Sequence, residues 1–109
     1  MKIVTRTEET ILLSIWKLKD NAYGVTINKE VSNIYGRNYT MGSLYFSLDQ
    51  LYRKELVSKK SGNPTSERGG RSKIYYSLSD EGVNALNKVN ELNKKVWTDI
   101  SGIVFNGSK

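Results

Sequence analysis

The 109-residue chain has no cysteine, no histidine and one proline. The first absence removes disulfides, thiolate metal sites and thiol nucleophiles; the second removes the commonest general base and the commonest zinc ligand. No apolar run approaches the ~20 residues that a bilayer span requires. The opening "MKIVTRTEET" has neither the apolar stretch nor the small-residue cleavage site of a secretory signal, so a cytoplasmic protein is expected. Asp80 and Glu81 are adjacent carboxylates, but at a helix start the dipole explains them better than acid–base chemistry. The glycine-bearing "GNPTSERGGRSK" lacks the Gly-Lys-Ser/Thr ending of a phosphate-cradling loop and leads into a strand. No serine–lysine pair stands beside an oxyanion site. The expectation is a protein that is not an enzyme and needs no metal or cofactor.

What is present is one ordinary domain's worth of globular sequence, 38% hydrophobic and 26% charged, with a net charge of +6. The charge is unevenly spread. Arg53, Lys54, Lys59, Lys60, Arg68, Arg71 and Lys73 stand against only Glu55 and Glu67, so this one segment carries nearly all of the surplus. Such a cluster suits an anionic partner. For any single lysine in it, a solvated charged hairpin is the plainer explanation.

Hydrophobic spacing gives the elements. Ile11, Leu12, Ile15 and Leu18 recur at helical intervals from Thr7 to about Lys19, with Thr7 as a candidate cap and Glu8 and Glu9 in the first turn. A shorter helix follows "DNAYG", with Thr26 as candidate cap, Ile27, Val31 and Ile34 on one face and Gly36 as a stop. Leu44, Leu48 and Leu51 mark a third helix from about Thr40 to Lys54. "LVSKKSG" and "SKIYYSL" read as a β-hairpin with a long tip, in which Tyr75 and Tyr76 face opposite sides. From Ser79, an apolar residue recurs every three or four positions through Leu86, Val89, Leu92, Val96, Ile100 and Ile103. A helix of that length overreaches a core of this size, and a second copy of itself is the simplest cover for its stripe.

The order of helices, turn, helix and hairpin is that of a winged helix-turn-helix, whose third helix enters the major groove of DNA while the hairpin reaches backbone or minor groove. The fold class is therefore mainly α with a small β-hairpin. The expected division is a DNA-binding unit at 1–78, a dimerisation helix at 79–105 and a disordered tail at 106–109. Lysines and arginines on such a wing follow the phosphates and gain entropy by releasing counterions, and Gly69 and Gly70 let the tip bend.

Three stretches, "YGVTINKEV", "GSLYFSLDQLYRKELV" and "GNPTSERGGRSKIYYSLSDEG", resemble the PadR family of bacterial transcriptional regulators, over roughly residues 7 to 105. The resemblance implies a homodimeric repressor of the shorter subfamily, with a single C-terminal dimerisation helix and, between subunits, room for a small aromatic effector. Two positions depart from the family pattern. Phe46 stands where many members carry Pro or Arg, so base preference does not transfer, and Glu55 stands where glycine is frequent in the turn after the third helix.

On the third helix Thr40, Gly42, Ser43, Tyr45, Phe46, Ser47, Gln50 and Lys54 are the candidate DNA contacts. Ser43 and Gln50 suit base edges or phosphates, Phe46 a thymine methyl, and Gly42 close backbone approach to a phosphate. Capping alone accounts equally for Thr40 and Ser43, and packing for Tyr45 and Phe46. On the wing the candidates are Lys59, Lys60, Arg68, Arg71 and Lys73, with Arg71 and Lys73 also matching the family motif. Trp97, with Trp16, is a candidate ligand platform or simple packing. Leu86, Val89, Leu92, Val96, Trp97, Ile100 and Ile103 are the candidate dimer interface. The expected partners are a double-stranded operator with an inverted repeat and a second copy of the chain. A winged-helix interaction module docking on an acidic protein is the alternative.

Overall fold

The computed structural model describes residues 4–62 and 73–107, with side chains as far as residue 98. Helix α1 (Arg6–Leu18) is capped by Thr5 rather than Thr7. Thr5 Oγ1 accepts the Glu8 N–H at 3.1 Å and Glu8 Oε1 accepts the Thr5 N–H at 3.0 Å. This reciprocal pair requires an acid three residues after the cap, which Thr5 has and Thr7 lacks. A 3-10 turn (Lys19–Asn21) leads to α2 (Gly24–Tyr35), which begins before Thr26. Thr26 acts instead from within the first turn, its Oγ1 accepting the Tyr23 N–H at 3.0 Å. Gly36 closes α2 in the left-handed conformation, φ 71°. Ile27 and Val31 are fully buried, but Ile34 in the last turn is exposed, and Tyr35 packs against the core there.

The link from α2 to the next helix is held by α2's own polar side chains. Ser32 Oγ accepts the Tyr39 N–H at 2.9 Å, and Asn28 Nδ2 donates to the Tyr39 carbonyl. Thr40 then caps α3 (Met41–Arg53), its Oγ1 accepting the Ser43 N–H at 3.2 Å. Leu44, Leu48 and Leu51 bury completely against Ile11, Leu12, Ile15, Ile27 and Val31.

Helix α3 ends in a reverse turn that the sequence leaves open. The Glu55 N–H donates to the Tyr52 carbonyl at 2.9 Å and the Leu56 N–H to the Leu51 carbonyl at 3.0 Å. This paired pattern needs a left-handed residue, and Glu55 supplies it with φ 63°. Leu56 then drops its side chain into the core while its carbonyl accepts the Ser79 N–H at 3.1 Å. Ser79 Oγ donates to the Glu55 carbonyl at 2.7 Å and accepts the Gly82 N–H at 3.0 Å, capping the last helix. A Cβ on Gly82 would lie 2.1 Å from the Leu56 carbonyl oxygen, so only glycine fits.

Between these points runs the hairpin of β1 (Val57–Ser61) and β2 (Ile74–Leu78), antiparallel, with Val57 opposite Leu78 and Ser61 opposite Ile74. Its tip, including Arg68, Gly69, Gly70 and Arg71, lies outside the described residues. The Tyr76 N–H donates to the Ala22 carbonyl at 2.8 Å and Tyr23 bridges to Tyr75, which ties β2 to the chain entering α2. Tyr76 is buried; Tyr75, on the other face, meets Tyr23 edge-on at 5.4 Å between ring centroids.

Helix α4 (Asp80–Gly107) has 28 residues, about 42 Å of rod. It continues through residues 106 and 107 of the expected tail; 108 and 109 lie outside the described residues. Among the described residues its first turns touch the core through Ala85 and Leu86, and further along Asn93 Nδ2 donates to Glu9 Oε2 of α1 at 3.4 Å. Among the described residues no helix is long and apolar enough to cross a membrane.

Two substitutions test the junction in opposite directions. Gly82→Ala is expected to lower stability by about 1–3 kcal/mol, because the new methyl has nowhere to go. Glu55→Gly is expected to raise it by up to about 1 kcal/mol by relieving the left-handed backbone. Urea unfolding of the two variants beside the parent chain measures both.

Candidate nucleic-acid interface

The outer face of α3 is aromatic at one end. Phe46 is 67% exposed and Tyr45 49%, with Gly42 and Ser43 exposed beside them. A Cβ on Gly42 would meet nothing within 4 Å, so the space over the start of α3 is open. The Thr40 hydroxyl donates to Ser43 Oγ at 2.9 Å and accepts the Ser43 N–H, so both residues serve the cap while remaining accessible. Tyr45 is anchored from below: a Cβ on Gly24 would fall 2.3 Å from its hydroxyl oxygen and 3.3 Å from Met41 Cε. The missing side chain at the start of α2 is therefore what seats Tyr45. Ser47 and Gln50 are half-buried further along. Asp49 and Arg53 pair across one turn at 3.0 Å.

Lys54 departs from the expected placement. Its Nζ lies 2.8 and 2.9 Å from the two oxygens of the buried Glu8 carboxylate, so it ties the end of α3 to α1 instead of facing outward. The cap position turns the chain inward there, and the carboxylate already engaged in the α1 cap draws the ammonium in.

The described wing lysines separate. Lys59, opposite Tyr76 in the ladder, rests its ammonium 4.1 Å from the centroid of the Tyr52 ring on α3. Lys60, opposite Tyr75, falls on the other face. Lys73 lies over the Tyr23 ring at 4.2 Å, at the entry to α2. Each such contact is worth about 0.5–1 kcal/mol at an exposed site, enough to bias where the ammonium sits. Tyr52 and Tyr23 were not among the sequence candidates. Tyr52 was within reach, since it follows Tyr45 by two helical turns on the same face. Tyr23 depends on a bridge to Tyr75 that no local pattern announces.

Trp16 and Trp97 stand apart: Trp97 is not among the lining residues of the cleft that Trp16 borders. Trp16 lines a cleft of about 700 Å³ behind the hairpin, and Trp97 is exposed on α4 outside it. Leu86 is half-buried and packs against its own core. Val89 is half-buried, and the uncovered stripe runs through Leu92, 61% exposed, Val96 and Trp97; the side chains of Ile100 and Ile103 lie outside the described residues. Val89 and Leu92 join Val4, Leu56 and Ala85 around a groove of about 810 Å³.

The family model described as "Transcriptional regulator PadR-like family" matches residues 12–88, well over half of the chain. The chain belongs to the PadR-like family of transcriptional regulators. Its members are regulators, not enzymes. Solved structures agree. A PadR family regulator from Eggerthella lenta is 25% identical, with a TM-score of 0.65 over 87% of this chain and 80% of its own. One from Clostridium difficile R20291 is 28% identical, with a TM-score of 0.59 over 93% and 98%. The complex structure of hsRosR-S1 is 25% identical, with a TM-score of 0.71 over 96% and 92%. No curated protein matches the chain.

Among the described residues of this PadR-like domain, Tyr76 is the ionisable group that is clearly perturbed. Burial raises the Tyr76 hydroxyl above its ordinary 10.0, with the Tyr45 hydroxyl and the Asp49 carboxylate adding to the effect. The fold thus favours neutral Tyr76, a contribution complete below pH 10 and lost as pH rises through the raised value. Stability is expected to fall above pH 10, and Tyr76→Phe to flatten that fall. Urea midpoints measured from pH 8 to 11 check it.

Proposed function

We propose that this PadR-like regulator is a cytoplasmic homodimeric repressor that binds an inverted-repeat operator through two winged helix-turn-helix heads. The observation that carries the reading is the pairing of an exposed Tyr45–Phe46 surface on α3 with two wing lysines held against the neighbouring helix-turn-helix by tyrosine rings. Gly42, Ser43, Tyr45, Phe46, Ser47 and Gln50 would meet the major groove. Lys59, Lys60 and Lys73, with Arg68 and Arg71 of the tip, would follow the phosphates. Lys54 is left out, because its charge is spent on Glu8.

The dimer contact assigned to α4 is supported by its apolar stripe, which projects past the core with Leu92, Val96 and Trp97 uncovered. Two-fold symmetry would then set the half-sites about one or more helical turns apart, ~10 bp each. In this mechanism the free dimer occupies a promoter and blocks transcription. A small hydrophobic effector weakens operator affinity by binding one arrangement of the heads better than another; Trp97 at the α4 contact is an anchor or a platform for it.

Genomic fragments selected on the purified protein supply the operator. Lys73→Gln and Lys59→Gln are each expected to weaken all duplexes alike and to lower the slope of log affinity against log salt by about 1. Phe46→Ala is expected to reduce discrimination between operator and bulk DNA while leaving that slope unchanged. Salt-sensitive binding with no sequence preference in the parent chain refutes the regulator and leaves a basic interaction module.

The dimer has its own test. Leu92→Glu with Val96→Glu places two carboxylates on the exposed stripe, far from the core. It is expected to yield a folded monomer by sedimentation, with operator affinity reduced by orders of magnitude. A parent chain that is already monomeric at micromolar concentration refutes the dimer.

A further inference from the structure

Three consecutive residues of α1 each reach a different helix. Tyr35 Oη at the end of α2 donates to Thr7 Oγ1 at 3.5 Å, Lys54 at the end of α3 donates to Glu8, and Asn93 of α4 donates to Glu9 Oε2 at 3.4 Å. The first turn of α1 is therefore a polar hub for both helices of the helix-turn-helix and for the long helix. Its contacts are unequal. Those of Thr7 and Glu9 are long for hydrogen bonds, whereas Lys54 Nζ lies 2.8 and 2.9 Å from the two oxygens of Glu8.

Burial sharpens the difference. The Glu8 side chain is 6% exposed and that of Lys54 29%. A charge pair enclosed to this degree is weak evidence of a stabilising role, because desolvation of the ions offsets their attraction and apolar residues of similar volume serve as well or better. What it supplies is direction. Leu44, Leu48 and Leu51 hold α3 by burial, which has no preferred direction and fixes the depth of the helix more closely than its roll. A cation held by both oxygens of one carboxylate tolerates less rotation. That carboxylate is itself fixed, since Glu8 Oε1 also accepts the Thr5 N–H at 3.0 Å in the α1 cap. The line of bonds ends on Lys54, the C-terminal cap of the helix that carries Tyr45 and Phe46. A roll of about 10° moves a side-chain tip about 5–6 Å from the helix axis by about 1 Å, enough to break a hydrogen bond to a base edge.

We propose that Glu8 is a positioning residue for the reading helix: by holding Lys54 it sets the roll of α3 and, through it, the discrimination between operator and bulk DNA. Buried as it is, Glu8 itself would meet no DNA. The consequence for discrimination rests on the proposed function; the setting of α3 does not. Because Glu9 of the same turn meets Asn93, a displacement of α4 has a short route to the same helix.

The test compares the full parent chain with a double variant, Glu8→Met with Lys54→Met, which exchanges the ion pair for an apolar one. Removing one partner alone would leave the other charge enclosed and endanger the fold, whereas the double variant is expected to unfold in urea at or above the parent's midpoint. Its affinity for the selected operator is expected to fall about tenfold. Its affinity for bulk duplex and its salt slope are expected to stay the same, because no phosphate contact has been removed. With no DNA present, amide hydrogen exchange in α3 is expected to quicken about tenfold while α2 and the hairpin keep their protection. Full discrimination in the double variant overturns the proposal, as does unchanged exchange in α3. So does a loss of discrimination accompanied by faster exchange throughout the chain, which is general loosening. A parent chain with no sequence preference refutes the regulator instead; exchange in α3, measured without a duplex, then still decides whether Glu8 sets that helix.

Discussion

Leu56 and its two neighbours bring the reading helix, the wing and the long helix to one point. Its side chain completes the core under α3, its N–H closes the reverse turn at the end of that helix, and its carbonyl receives the first N–H of the connection into α4. The approach is close enough that residue 82 has no room for a Cβ. Three elements with different tasks therefore meet at one residue. A shift at any of them must be absorbed by the other two, because packed cores deform in discrete steps rather than smoothly.

The helical skeleton was legible because it obeys periodicity. Leu44, Leu48 and Leu51 announce α3 by spacing alone, and Gly36 stops α2 by the conformation it favours. Caps were less legible. Thr5 and Thr7 are both chemically able to cap α1, and the choice fell to the one whose partner three residues later could reciprocate. The turn at Glu55 was hidden for the opposite reason. Its residue type argues against a left-handed backbone, and the burial of Leu56 beyond it overrides that local preference.

The candidate interface divides in the same way. Tyr45 and Phe46 follow from the helix face opposite the leucines. Lys54 shares that helix and its charge, yet Glu8, forty-six positions earlier, captures it. Ion pairs between distant segments leave no trace in a local pattern, so counting cations overstated what the surface presents. The wing shows the converse: alternation alone places Lys59 and Lys60 on different sides of the ladder, and the aromatic rings beneath Lys59 and Lys73 become evident only once the fold brings them together.

The geometry of α4 bears on how such chains can vary in length. Each residue added to an α-helix rotates everything beyond it by about 100° and advances it by about 1.5 Å. One insertion between Ala85, which packs inward, and Leu92, which does not, would swing the apolar stripe a quarter turn and more away from its present azimuth. Seven would restore the azimuth nearly and lengthen the rod by about 10 Å. Insertions and deletions tolerated in this helix should therefore come in heptads or in near-whole turns, with solitary ones confined to its far end.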